Sequence, residues 1–388
     1  MFKNISSSRK NKINSLLNIA RDKMYSNNEN ILFSFLNNTD VKNQYLESFF
    51  MSKNTNIEKF CELNQNIEII KNISGGSDAL TFVIYNDNKM FVRKIAFNNA
   101  SYKLKEQYEW INKFSKILPL PITTISFDNI DDNIYMYDME YKVNSISMFE
   151  YIHTNSIEKS WMILENTVDI LEKNLYINTY KIEQEVIDEY INTKFFDNIE
   201  KFRHSSSFIK KISDYKTLII NDKEYKNIDY YLNFLKENKI FSIFDDFENS
   251  YIHGDLTLEN ILFDSDLVII DPNPSNIYNH KFIDFAKLRQ SLNKGYEFLT
   301  KVNSYNINEN IINFVCPKSN MYTKLSNKYD EFIIEKYSKE TLNKIMLHEI
   351  IHYTRMLPYK IKYSEEYAIV FYSVLIILLD DLEKMNEK

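Results

Sequence analysis

From Ile67 onward the chain alternates short apolar runs with polar turns. IEIIKNI, LTFVIY and MFVRKIA each read as β-strands, separated by SGGSDA and NDNK. Strands joined by turns this short predict an antiparallel meander. SYKLKEQYEWINKFSKIL follows, with Leu104, Tyr108, Ile111 and Phe114 at helical spacing until PLP stops the run. NIYMYDMEYKV predicts one or two further strands. Beyond Ser145 the pattern is mainly helical through Phe247, apart from a short hairpin at TLIINDKEYK. The segment from Tyr251 to Pro274, YIHGDLTLENILFDSDLVIIDPNP, breaks that texture, and two or three helices complete the chain.

The predicted architecture is therefore α+β, in three parts. Residues 1–65 form an N-terminal helical extension broken by Asn-rich turns, with no chemical motif. Residues 66–144 form a small lobe with an antiparallel sheet and one helix. Residues 145–388 form a larger, mainly helical lobe. A length of 388 residues suits two or three such bodies, and 44% apolar residues supply their cores. The net charge of -7 argues against non-specific nucleic-acid binding. The longest apolar run, AIVFYSVLIILL, falls short of the roughly 20 residues of a membrane span and reads as a buried helix. No apolar leader stands out near the start, and Cys61 and Cys316 read as separate thiols. These features point to a soluble, cytoplasmic protein.

Against that background the Tyr251–Pro274 segment carries the chemistry. Only four glycines occur in the chain, so Gly254 between His253 and Asp255 marks a backbone need. Asn260 stands five residues after Asp255, and Asp271 ends the buried-strand run LVII. An Asp, an Asn and an Asp in this order could converge on one point. Phosphoryl transfer needs such a set: a carboxylate beside the attacking hydroxyl and oxygen ligands for Mg²⁺.

HGDLTLEN resembles the H-G-D-x-x-x-x-N loop of the aminoglycoside phosphotransferase and choline kinase superfamily, and Ile-Asp-Pro stands where protein kinases carry Asp-Phe-Gly. The resemblance spans roughly residues 67–300 and implies a bilobal, protein-kinase-like fold. It implies an ATP-dependent kinase that uses Mg²⁺ to phosphorylate a hydroxyl group of a small metabolite. Asp255 would be the catalytic base, with His253 bracing the loop, and Asn260 and Asp271 would be the magnesium ligands. Asp284, in FIDFAKL, would be structural. Gly75, Gly76 and Ser77 would cover nucleotide phosphates, and Lys94 would contact them. Either Glu106 or Glu109 would orient that lysine, Glu106 being favoured. Met139, Glu140 and Tyr141 would hold adenine through backbone groups. The superfamily's acceptors include aminoglycosides, choline, sugars, homoserine and fructosamines, and the motifs do not separate them.

Three further features compete or add. LHEIIHY places His348, Glu349 and His352 in the H-E-x-x-H pattern of zinc hydrolases, an alternative that still needs a third ligand. A helix there would pack Ile345, Leu347, Ile351 and Met356 inward, and His352 or Arg355 could touch the acceptor. The acidic residues Asp245 and Asp246 would favour a cationic acceptor if they line its site. A catalytically inactive nucleotide-binding pseudokinase is the other alternative.

Overall fold

The computed structural model describes residues 63–64, 67–73, 79–86, 88–129, 134–177, 179–244 and 248–386. The N-terminal extension lies outside them except for Leu63 and Asn64, and so does Cys61. The chain forms two compact units, one reaching residue 115 and including 120–143, the other comprising 116–119 and 144–388.

Unit 1 is a five-stranded antiparallel sheet of spatial order β1-β2-β3-β5-β4. Its strands are β1 (Glu68–Asn72), β2 (Leu80–Asn86), β3 (Lys89–Phe97), β4 (Thr123–Asn129) and β5 (Ile134–Glu140), with α1 (Asn99–Phe114) inserted after β3. Side chains alternate along the central strand β3. Ile95, flanked by Phe91 and Phe97, joins Phe82, Ile84, Ile134 and Met136 in a core completed by Leu63 and Ile67. Arg93 shares that face and is bidentate to Asp138, Nε to Oδ1 at 2.6 Å and Nη2 to Oδ2 at 2.7 Å. Its Nη1 also donates to Asn64 Oδ1 at 2.8 Å, which ties the Leu63–Asn64 turn to the sheet. The opposite face, with Lys94, meets α1, where Tyr108 packs against Tyr135 and Tyr137. β4, spelled TTISFDN, was absent from the predicted strands. It is an edge strand bonded only to β5 and needs no apolar run to stay in place.

Unit 2 is mainly helical. α2 (Met148–Thr154) and α3 (Ile157–Asn174) begin where Ser147 and Ser156 accept the amides of Glu150 and Lys159. β6 (Ile146–Ser147) precedes them. α4 (Gln184–Ile191) runs through a π-turn at Asn192–Phe196 into α5 (Asp197–Arg203), followed by α6 (Ser207–Asp214). The TLIINDKEYK hairpin forms as β7 (Thr217–Ile220) and β8 (Lys223–Lys226). Its turn residues Asn221 and Asp222 both take positive φ, which Asn and Asp tolerate in two-residue hairpins. α7 (Ile228–Glu237) follows. β9 (Ile261–Phe263) then pairs with both β10 (Leu267–Ile269) and β6.

The rest of unit 2 is α8 (Lys281–Asn293), α9 (Tyr296–Leu299), the hairpin β11 (Tyr305–Asn308) and β12 (Ile311–Phe314), α10 (Asn320–Lys336), α11 (Lys339–Ile361) and α12 (Glu365–Asn386). The AIVFYSVLIILL run lies almost wholly buried within α12. No helix among the described residues is long and apolar enough to cross a membrane. α11 departs from the one-faced packing expected of it: residues 345–354 are buried on every side, and Met356 is only half-buried. A helix hidden all round sits in the middle of a core rather than on its edge.

Removing Asp138 would strand the Arg93 guanidinium in the unit 1 core. Asp138→Ala should therefore cost about 3–5 kcal/mol in urea denaturation, and replacing Arg93 and Asp138 together by leucine should cost much less. A loss in the single variant below about 1 kcal/mol would show that the pair contributes little.

Candidate active site

The HGD loop is shaped from below by one carboxylate. Asp284, in the first turn of α8, accepts the His253 amide at 2.7 Å and the adjacent Gly254 amide at 2.6 Å. Tyr176 donates its hydroxyl to the same carboxylate at 2.9 Å. Burial pushes the Asp284 carboxyl upward, against the lowering pull of His253 and the two amides. Gly254 turns the chain at φ +79°, and a Cβ there would lie 2.0 Å from the Asn273 carbonyl oxygen. The glycine is thus required twice over, by conformation and by space.

His253 links the loop to the strand that carries Asp271. Its Nε2 lies 2.9 Å from the Ile270 carbonyl, and the Asp255 amide donates to its Nδ1. A carbonyl can only accept, so Nε2 carries a proton and donates it. The β9–β10 ladder pairs Ile261 with Ile269, and the Ile270 amide donates to the Asn260 carbonyl at 2.9 Å. Asn260 therefore ends just before one strand and Asp271 just after the other. Asp271 has φ 60°, an unusual value for a residue with a Cβ. Asn260 Nδ2 donates to the Asp255 carbonyl at 2.8 Å. That bond does not use its amide oxygen, and an amide oxygen and a carboxylate such as that of Asp271 are hard donors of the kind magnesium takes.

Asp255 keeps 40% of its side chain exposed and faces Lys287 Nζ at 3.1 Å from its Oδ1. Burial raises its pKa, but Lys287, with His253 and Arg355 contributing, holds it below the ordinary carboxylate range. Lys287 is a residue that the sequence reading missed. The available signal was its spacing: three residues beyond Asp284, one turn along the helix whose first turn holds the loop. Behind the loop, Ser291 accepts the Leu258 amide and donates to Glu297 Oε1 at 2.6 Å. Glu297 is fully buried, and among the described residues its other oxygen has no hydrogen-bond partner. Burial lifts its pKa to about 7.

In unit 1, Lys94 Nζ donates to Gln107 Oε1 at 3.1 Å, and the Tyr137 hydroxyl donates to the same oxygen at 2.7 Å. Glu106 and Glu109, the two acids proposed as that partner, lie exposed on α1. Gln107 was also missed, although its position advertises it. It lies three residues after Leu104 and four before Ile111, the polar member of an apolar stripe. Met139 is buried at the end of β5, whereas Glu140 and Tyr141 are partly exposed. The Glu140 amide donates to the Ile122 carbonyl at 2.9 Å. Gly75, Gly76, Ser77, Asp245 and Asp246 lie outside the described residues.

The H-E-x-x-H segment is engaged in packing. Tyr190 and His348 Nδ1 are 3.0 Å apart, and the His348 ring stacks on Phe244. His352 Nε2 donates to the Ile283 carbonyl at 3.3 Å. Glu349 is gripped by Arg289, which is also bidentate to Asp330 at 2.9 Å, and Asn293 donates to Glu349 as well. The carboxylate a zinc hydrolase would use as its base is thus the counter-ion of a buried arginine. Among the described residues no group of three or more His, Cys, Asp and Glu is placed to hold a metal.

No family model matches the chain, and no curated protein matches it in sequence. Among solved structures, the aminoglycoside phosphotransferase APH(4)-Ia aligns with a TM-score of 0.50 at 10% identity, covering 83% of this chain and 98% of its own. A thermostable mutant of that protein, in ternary complex with AMP-PNP and hygromycin B, gives 0.52 at 11% identity, covering 86% and 99%. Choline kinase LicA from Streptococcus pneumoniae aligns at 0.47 and 16% identity, covering 84% and 100%. The chain shares the fold of APH(4)-Ia.

Two measurements probe this framework. Gly254→Ala should destabilise the protein by about 1–3 kcal/mol, because the chain must leave its turn to admit the methyl group. An unchanged denaturation midpoint would contradict the clash. Glu297 has a folded pKa raised from 4.5 to about 7. The stability associated with its proton is complete below pH 4.5 and is lost as pH rises through 7. Wild type should therefore lose more stability than Glu297→Gln between those pH values, and parallel stability curves would refute the shift.

Proposed function

We propose that the chain is an ATP-dependent kinase that phosphorylates a hydroxyl group of a small molecule, with Mg²⁺ as cofactor. The observation that carries this reading is the set of bonds joining Asp255, Asn260 and the Asp271 strand end through His253. These bonds support a reading in which the partly exposed Asp255 carboxylate acts with the oxygen donors of Asn260 and Asp271. The similarly folded APH(4)-Ia mutant is known with AMP-PNP bound, which supports the choice of nucleotide.

Phosphoryl transfer asks the protein chiefly for positioning and charge neutralisation. Asp255, kept ionised by Lys287, would accept a hydrogen bond from the acceptor hydroxyl and align its oxygen with the γ-phosphorus. As that oxygen bonds to phosphorus, the bond to the ADP oxygen breaks and the hydroxyl proton passes to the Asp255 carboxylate. Asn260 and Asp271 would hold Mg²⁺, which when bound neutralises phosphate charge. Lys94 would contact the α and β phosphates, with Gln107 and Tyr137 orienting its ammonium group. Gly75, Gly76 and Ser77 would cover the phosphates, and backbone groups of Met139 to Tyr141 would hold adenine. A soluble, cytoplasmic setting suits such an enzyme.

The test is thermal unfolding with MgATP alongside γ-phosphate transfer to hydroxylated acceptors. MgATP at about 100 times its Kd should add roughly 2.7 kcal/mol of stability. That gain should vanish in Asp271→Ala and persist in Asp255→Ala, whose turnover should fall by about a thousandfold or more. Binding without transfer to any acceptor would favour a pseudokinase. No stabilisation by MgATP or MgGTP would sink the kinase reading.

A further inference from the structure

Two cationic side chains in unit 2 act on the charge of Asp255, and among the described residues only one has a counter-ion. Lys287 Nζ pairs with Asp255, and 15% of its side chain is exposed. Arg355, on α11, is half-buried. Among the described residues its guanidinium has no hydrogen-bond or ion-pair partner.

Contacts between α8 and α11 fix where these two side chains originate. His352 Nε2 donates to the Ile283 carbonyl, and Gln290 Nε2 donates to Met356 Sδ at 3.3 Å. Ile283, Lys287 and Gln290 fall at i, i+4 and i+7, on one face of α8. His352, Arg355 and Met356 fall at i, i+3 and i+4, on one face of α11. The two bonds therefore bracket Lys287 on one helix and Arg355 on the other along a shared seam. The field of Arg355 is felt on both sides of that seam. After burial and Lys287, it helps hold His352 well below its usual range, and it also helps lower Asp255.

The surrounding acids do not restore the balance. Asp255 is matched by Lys287, and Asp284 is buried against the loop amides. Glu259 feels Asp255 too, but Lys301 opposes its charge. Among the described residues the half-buried Arg355 guanidinium remains unmatched, across the seam from the lysine that pairs with the proposed base.

On this geometry we infer that the acceptor is an anionic hydroxy compound, whose carboxylate or phosphate ester Arg355 grips while its hydroxyl rests on Asp255. The inference rests on the phosphotransferase reading and names the substrate class for the same site. A guanidinium presents a planar fork that matches either anion with two parallel hydrogen bonds. It repels the ammonium groups that aminoglycosides and choline would bring to the same place.

The experiment uses the full chain with MgADP and follows thermal unfolding with four sets of probes. These are hydroxy acids (glycerate, gluconate), sugar and polyol phosphates (ribose 5-phosphate, glycerol 3-phosphate), neutral sugars, and cations (choline, an amino sugar). Transfer from MgATP to each is then measured. At least one anionic probe should stabilise the protein and accept phosphate, the two anionic sets separating carboxylate from phosphate recognition. Arg355→Met should raise the KM for that acceptor about tenfold to a hundredfold, which is 1.4 kcal/mol per factor of ten, while stabilisation by MgATP persists. Preference for choline or the amino sugar would overturn the inference. So would an unchanged acceptor KM in Arg355→Met, or a failure of every anionic probe to stabilise. If MgATP itself fails to stabilise wild type, the phosphotransferase reading falls instead, and anion stabilisation lost in Arg355→Met would still report on Arg355.

Discussion

Everything proposed for unit 2 depends on the Asp284 carboxylate receiving two consecutive amides. Adjacent peptide N–H groups seldom point the same way. They do so here because Gly254 takes a left-handed turn. A buried carboxylate is costly unless its lone pairs are used, and Tyr176 completes the set. The same bonds that settle Asp284 leave Asp255 projecting, partly exposed, one residue further on.

Much of the fold was legible because its signals are local. The β-meander announced itself through apolar runs and short turns, the C-terminal helix through an apolar run too short for a membrane, and the hairpin through Asn221–Asp222. The edge strand β4 was not legible, since a strand bonded on one side carries little apolar pattern. The buried girth of α11 was hidden for a related reason. Its many polar residues look like an outer face until Tyr190, Arg289 and the Ile283 carbonyl are seen to engage His348, Glu349 and His352.

The loop motif pointed to Asp255, Asn260 and Asp271, which the β9–β10 hairpin and His253 bring into one neighbourhood. Lys287 and Gln107 escaped notice because each makes its contact across elements, and sequence spacing reports only on neighbours within one. The H-E-x-x-H segment shows the opposite error, a local pattern whose meaning is set by distant partners. Arg289 on α8 and Asp330 on α10 turn Glu349 into one corner of a buried charge cluster. Such a cluster is weak evidence for net stability, because desolvation offsets the attraction between its charges.

The ring of His253 has a mechanical consequence. It bridges the amide of Asp255 and the carbonyl of Ile270, the residue before Asp271, and so acts as a strut between the proposed base and a proposed metal ligand. The register of these two stretches of backbone is thus built into the folded unit.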